Sequence, residues 1–230
     1  MEKFLAWVQQ LQWNTVWQTA MIVAASLLCI TFHETCHGLV AYWLGDPTAK
    51  NQGRLTLNPI KHIDLMGLIM MAVCHFGWAK PVPVDRRNFK NPKTGMALTA
   101  LAGPVSNVLL AYLAMLCYSL CYYFSAVHES DAARYLLLFS YYVVLISAGL
   151  AVFNIFPIPP LDGSKVLFAL LPDEWYAKLM RYERYGMALL AVLLLTNVLD
   201  TPLEFLRDGL TSGLAYIGMW PFELLAKFSV

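Results

Sequence analysis

Long uncharged runs separated by short basic connections set the pattern of this chain. Thr19–Leu44 contains no Asp, Glu, Lys, Arg or His except His33, Glu34 and His37, while Met96–Phe124 and Tyr135–Pro157 carry no charge at all. A helix crosses the hydrocarbon core of a bilayer in ~20 residues, so each run predicts a membrane span. Gly186–Leu199 is shorter and predicts a fourth only with its flanks. Leu65–Ala79 contains Gly67, His75 and Gly77, which favours a re-entrant, partly embedded segment over a crossing. Leu210–Phe222 is similarly marginal. Met1–Gln18 is polar with Trp7, Trp13 and Trp17, the pattern of a helix lying at the interface rather than of a signal peptide.

These runs predict an all-α polytopic membrane protein of about four transmembrane helices, with a membrane-embedded re-entrant or β-like segment and an interfacial N-terminal helix. The expected organisation is an interfacial segment over residues 1–18, one membrane domain over 19–200 and a membrane-associated segment over 201–230. Composition agrees: 59% of residues are hydrophobic and 13% charged, about half the charge of a soluble domain. A net charge of +1 gives no footprint for nucleic acid. The five cysteines, Cys29, Cys36, Cys74, Cys117 and Cys121, form no C-x-x-C pair and read as small buried residues. Gly45–Gly95 carries eight Lys or Arg and Leu161–Tyr185 four more. By the positive-inside rule both face the cytoplasm, which leaves the N-terminus outside.

Against this background His33-Glu34-Thr35-Cys36-His37 stands out. Histidines four apart on a helix point the same way, so both imidazoles can reach one metal ion. Glu34 can act as general base toward a metal-bound water. Ionisable groups inside a span cost insertion energy and default to a functional reading. On the predicted orientation, His37 and His33 lie roughly 10 and 16 Å from the cytoplasmic end of their helix. That depth places the metal in the cytoplasmic half of the membrane and demands a path for water.

A catalytic zinc site takes three protein ligands, with water in the fourth place. The candidates for the third are His62, Asp64, His75, Asp85, Asp162 and Asp200. Asp162 stands out because it follows Pro157-Ile158-Pro159-Pro160-Leu161 after a full span. Three prolines in four residues cannot extend a helix, and irregular backbone at membrane depth is tolerated where it lines a wet or protein-enclosed cavity. Capping of a helix over Gly163–Leu171 explains an aspartate here equally well, and the residues alone leave both readings open.

Several motifs in order then carry a family resemblance. They are H-E-T-C-H (His33–His37), G-R-L-T-L-N-P (Gly53–Pro59), H-I-D-L-M-G (His62–Gly67) and F-G-W-A-K-P-V-P-V (Phe76–Val84). Ala102–Asn107 (A-G-P-V-S-N) and Asn154–Gly163 (N-I-F-P-I-P-P-L-D-G) complete the set. The chain resembles the site-2 protease family of intramembrane zinc metalloproteases in a short form without a PDZ domain. The resemblance implies one Zn2+ per chain held by His33, His37 and Asp162, with Glu34 activating water. It implies that Asn154 hydrogen-bonds the substrate backbone or the developing oxyanion; an interhelical amide bond is its bland alternative. It implies single-span membrane proteins or peptides as substrates and, for so short a form, a prokaryotic plasma membrane.

Other features have two readings each. Gly53–Pro59 and Val82–Val84 alternate like strands and could pair with an unfolded substrate or form a small hairpin over the helices. Gly103-Pro104 begins or kinks a helix and, with Asn107, packs close to the catalytic helix. Arg86, Arg87, Lys90 and Lys93 read as topology determinants and anionic-lipid contacts. Two rivals use the same cluster without hydrolysis: a metal transporter or sensor, and a non-catalytic binder of membrane proteins. Spans nearly free of polar residues argue against a transport route, and the intact His33, Glu34, His37 and Asp162 argue against a non-catalytic binder.

Overall fold

The computed structural model describes residues 13–67, 69, 78–127 and 131–228. In chain order its helices are α1 (Trp13–Trp43), α2 (Pro92–Val127), α3 (Asp131–Ile155), α4 (Asp162–Ala169), α5 (Asp173–Tyr182), α6 (Gly186–Leu195) and α7 (Asp200–Phe228). A helical turn at Thr48–Asn51 and 3-10 turns at Pro59–His62 and Arg86–Asn88 punctuate the α1–α2 connection. Among the described residues α1, α2 and α3 are long and apolar enough to cross a membrane, and the bent pair α6–α7 adds a fourth crossing if counted as one span. The expected all-α polytopic architecture is the one observed.

Small side chains bring the long helices together. Ala25 and Cys29 of α1, Ala111, Ala114 and Met115 of α2, and Val143 and Val144 of α3 are buried as one cluster, completed by Leu214 of α7. Where the surroundings are as apolar as the core, association rests on close van der Waals fit, which Ala and Cys permit. A second cluster, Leu161, Leu190 and Leu199, seats α6 beneath the end of α3. α2 opens at Pro92, where a missing N–H costs nothing. It runs on through Pro104, so Gly103-Pro104 lies inside the helix and does not begin it.

The expected fourth crossing, Gly186–Leu199 with its flanks, is a bent pair of helices. At ten residues α6 is about 15 Å long, half the core of a bilayer, and it meets α7 at 88°. Asn197, left-handed at φ 55°, lies in the corner, a conformation asparagine tolerates better than most residues. α7 then lies along α2 and α3, with Leu214 in the shared cluster and Gly218 against Met115. Packing against two neighbours compensates α7 for the weaker hydropathy that made Leu210–Phe222 marginal.

No strand forms at Gly53–Pro59 or Val82–Val84, and none occurs among the described residues. Side chains take the backbone groups a ladder would use. The Thr56 carbonyl accepts from Thr35 Oγ1 (2.8 Å) and His62 Nε2 (2.9 Å). Buried Arg54 donates to the carbonyls of Lys80 (2.7 Å) and Pro81 (3.3 Å). Asp46, wholly buried, ties the connection together by accepting from the Thr48 and Asp85 amides and the Asn88 side chain. Residues 1–12 of the expected interfacial segment lie outside the described residues, and from Trp13 the chain is already α1. Most of Leu65–Ala79, with His75 and Cys74, lies outside them too.

Candidate metal centre

The 3.6-residue period of α1 puts His33 and His37 on one face, with their Nε2 atoms 3.0 Å apart. The proline-rich break after α3 returns the chain to that face and brings Asp162 Oδ2 to 3.2 Å from His33 Nε2 and 3.1 Å from His37 Nε2. All three residues are buried or nearly so, and among the described residues they are the one group of three or more His, Cys, Asp or Glu close enough to share an ion. Lone-pair donors held this close repel unless a proton or cation lies among them. Tetrahedral zinc, with bonds of about 2.0–2.1 Å to nitrogen and oxygen, needs its donors about 3.3 Å apart. The donor set, two imidazoles and a carboxylate, and its spacing fit zinc.

Groups behind the donors hold them in place. The only role open to a carbonyl is acceptor, so His37 Nδ1–H donates to Thr99 O (2.7 Å), which leaves Nε2 unprotonated and turned to the centre. Lys165 Nζ lies 3.6 Å from Asp162 Oδ1, the oxygen not turned to the histidines. Gly103 of α2 has no side chain to spare: a Cβ there would clash with His33 Cε1 and stand 2.5 Å from His33 Nε2 and His37 Cε1. The expected close packing of Gly103 on the catalytic helix is thus contact with the imidazoles themselves. Gly163 allows the turn into α4 to press on the Ile155 carbonyl. Leu161, not Asp162, occupies the N-cap position of α4, so the capping alternative for Asp162 does not hold.

Glu34 faces the same space from the next position of α1. Its Oε2 accepts the Val82 N–H at 2.8 Å, so the extended segment 82–84 anchors this carboxylate instead of pairing as a strand. Asn154, one position before the end of α3, lines the cavity with the three donors and Glu34, and its Nδ2 donates back to Leu150 O at 3.0 Å. That bond lies within its own helix and replaces the interhelical amide bond of the bland reading. The cavity, about 320 Å³, is completed by Pro81, Val82, Val84, Met96, Thr99, Ala100, Pro160 and Lys165.

The other candidate ligands are occupied elsewhere. His62 is buried against Thr56 O, and Asp64 caps the Gly67 N–H. Asp85 pairs with Arg87 at 2.7 Å, and the bonds from that side chain hold its carboxyl down to about 2. Asp200 starts α7, His75 lies outside the described residues, and Cys36 is not among the converging donors. Sequence reasoning missed Thr99, Lys165 and the Val82 amide, because main-chain partners and cross-helix neighbours leave no mark in a one-dimensional pattern.

Comparison with known proteins agrees with this geometry. YwhC of Bacillus subtilis, provisionally named a zinc metalloprotease, is 42% identical over 177 residues, 76% of this chain and 80% of its own length. The chain belongs to peptidase family M50. The family's own pattern, described as Peptidase family M50, matches residues 119–197 and so takes in Asn154 and Asp162. Rip2 of Mycobacterium tuberculosis, provisionally named in the same way, is 28% identical over 229 residues, 96% of this chain and 81% of its own. Rip2 of Mycolicibacterium smegmatis is 28% identical over 185 residues, 78% of this chain and 68% of its own. No solved structure matches the chain. The M50 assignment bears out the resemblance to site-2 proteases and makes the chain a metalloprotease of the membrane.

Proposed function

We propose that this M50 chain is an intramembrane zinc endopeptidase that hydrolyses peptide bonds within or beside the spans of single-span membrane proteins. The observation that carries the reading is the convergence of His33, His37 and Asp162 beside Glu34 in one cavity, with His33, Glu34 and His37 on a helix of membrane-spanning length. One zinc per chain is expected, held by those three residues. Zinc supplies a Lewis acid that lowers the pKa of a coordinated water to about 7 and polarises a carbonyl. Glu34, oriented by the Val82 N–H, uses its free oxygen to take the proton of the attacking water and later delivers it to the leaving nitrogen. Asn154 has spent one N–H of its amide on Leu150 O; the second is available for a substrate carbonyl or its developing charge. The substrate helix must unwind, since its own hydrogen bonds shield the scissile carbonyl.

Twelve of the sixteen Lys and Arg lie in Gly45–Gly95 and Leu161–Tyr185, the connections at the metal's end of the bundle. That asymmetry supports a cytoplasmic half-membrane site, and the bacterial relatives support a prokaryotic plasma membrane. Lipid and substrate are the expected partners, with no nucleic acid. The decisive experiment incubates the detergent-purified wild type and Glu34→Gln with single-span substrates carrying Gly or Pro in the span, and reads zinc on the same samples. Cleavage by the wild type alone, with equal zinc in both, is expected. Equal cleavage by both would remove Glu34 from the chemistry, and well-folded protein without stoichiometric metal would end the zinc reading. A transporter or sensor would instead show metal flux and no cleavage.

A further inference from the structure

One turn beyond the metal, three helices meet in a layer of buried polar atoms that the chemistry above does not use. The apolar cluster fixes the register: Cys29 of α1, Ala111 of α2 and Val143 of α3 are buried together, and the Cys29 thiol reaches Val143 O at 3.8 Å. One turn toward the metal on each helix leads from Cys29 to His33, from Ala111 to Asn107 and from Val143 to Ser147. α2 runs opposite to the other two, as the contact of Gly103 with His33 and His37 requires. His33 is 6% exposed, Asn107 and Ser147 0%. His33 Nδ1 and both amide atoms of Asn107 are buried without a partner, and Ser147 Oγ has only the weakly bonding Cys29 thiol beside it.

A histidine that ligates through Nε2 carries its proton on Nδ1 and must donate it. His37 meets this demand at Thr99 O; His33 has no such carbonyl. We propose that Asn107 is the positioning residue for His33: one internal water carries the His33 Nδ1–H to its Oδ1, and its Nδ2 donates toward Ser147 Oγ by the same route. Buried polar groups in an apolar bundle are paired in this way because water cannot reach them otherwise. The arrangement locks the His33 tautomer and ring, as the carboxylate or carbonyl behind a ligating histidine does elsewhere. It rests on the metal reading of the site and not on which bond is cut.

The test is zinc affinity by chelator competition on the detergent-solubilised full chain, with the visible spectrum of the Co2+-loaded protein as a second readout. Asn107→Leu keeps the volume and removes the acceptor; Asn107→Asp keeps the acceptor and buries a charge. The expected order is wild type and Asn107→Asp binding tightly, Asn107→Leu about 10- to 100-fold weaker with an altered Co2+ spectrum, and Ser147→Ala weakened less. A residue that merely packs would give the reverse, Leu as good as Asn and Asp worst, and that order would overturn the proposal. If Asn107→Leu does not accumulate folded, Asn107→Ala replaces it with the same expectation and the same overturning result. Wild type that binds no zinc would sink the metal reading itself; wild type and Asn107→Leu binding equally would sink the proposal alone.

Discussion

The two ends of the bundle are built by different means. At the far end, Ala25, Cys29, Ala111, Ala114, Val143 and Val144 touch through small apolar surfaces. At the metal end directed bonds take over: His37 of α1 donates to Thr99 O of α2, the Val82 N–H holds Glu34, Arg54 ties down the carbonyls of Lys80 and Pro81, and Asp46 accepts from four donors, two of them on Thr48. The first end has to be close; the second has to be correct to a few tenths of an ångström. Glycine, too, serves unlike needs on neighbouring helices. Gly103 leaves room for two imidazoles, whereas a Cβ on Gly149 of α3 would meet nothing within 4 Å.

Removing a donor should give the largest effect. His37→Ala or Asp162→Ala is expected to lose stoichiometric zinc and all cleavage, read by metal analysis and a substrate assay side by side. Glu34→Gln should keep the zinc and lower the cleavage rate about 10²–10⁴-fold. Gly103→Val sharpens the comparison. Its side chain must displace His33 or His37, so zinc affinity should fall at least about tenfold, while Gly149→Ala should bind zinc like the wild type. Equal zinc affinity in Gly103→Val would show that the imidazoles have slack the structure does not suggest.

At the far end, Ala25→Leu should overpack the cluster and cost about 1–3 kcal/mol. Thermal melts would read the loss, and zinc per folded molecule should not change. The smallest effect concerns pH. Burial by itself would raise the Asp46 carboxyl, but hydrogen bonds from Thr48, Asn88 and the Asp85 amide outweigh it and hold the group below its ordinary value. A carboxyl depressed in the folded state contributes stability above about pH 4, and that contribution is lost as pH falls further. The melting temperatures of wild type and Asp46→Ala should therefore differ at pH 7 and converge below pH 4. A constant gap across that window would remove the ionised carboxylate from the account.

Much of the site was legible because helical periodicity is a local property. His33, Glu34 and His37 needed only a span and a four-residue spacing, and the spans α1, α2 and α3 needed only length and the absence of charge. Asp162 was harder, since it lies 125 positions beyond His37 and its local context suited a helix cap as well as a ligand. The corner within the fourth crossing was not legible, because hydropathy reads run length and not the 88° bend between α6 and α7, where α7 fits onto α2 and α3. The apparent strands failed for a related reason. Alternation describes side chains, but Arg54, Thr35, His62 and Glu34 claimed the backbone.

By itself, then, the amino-acid sequence determined that the chain lies in a membrane, that one helix carries two imidazoles and a carboxylate, and that the backbone unwinds before Asp162. These follow from hydrophobic run length, helical period and the geometry of proline, all of which act between near neighbours. Only the tertiary structure decided that Asp162 completes the donor set, that Thr99 and the Val82 amide orient His37 and Glu34, and that Gly103 lies against the imidazoles. Those choices depend on where separate helices cross, and crossing is settled by how side chains from distant parts of the chain fit together.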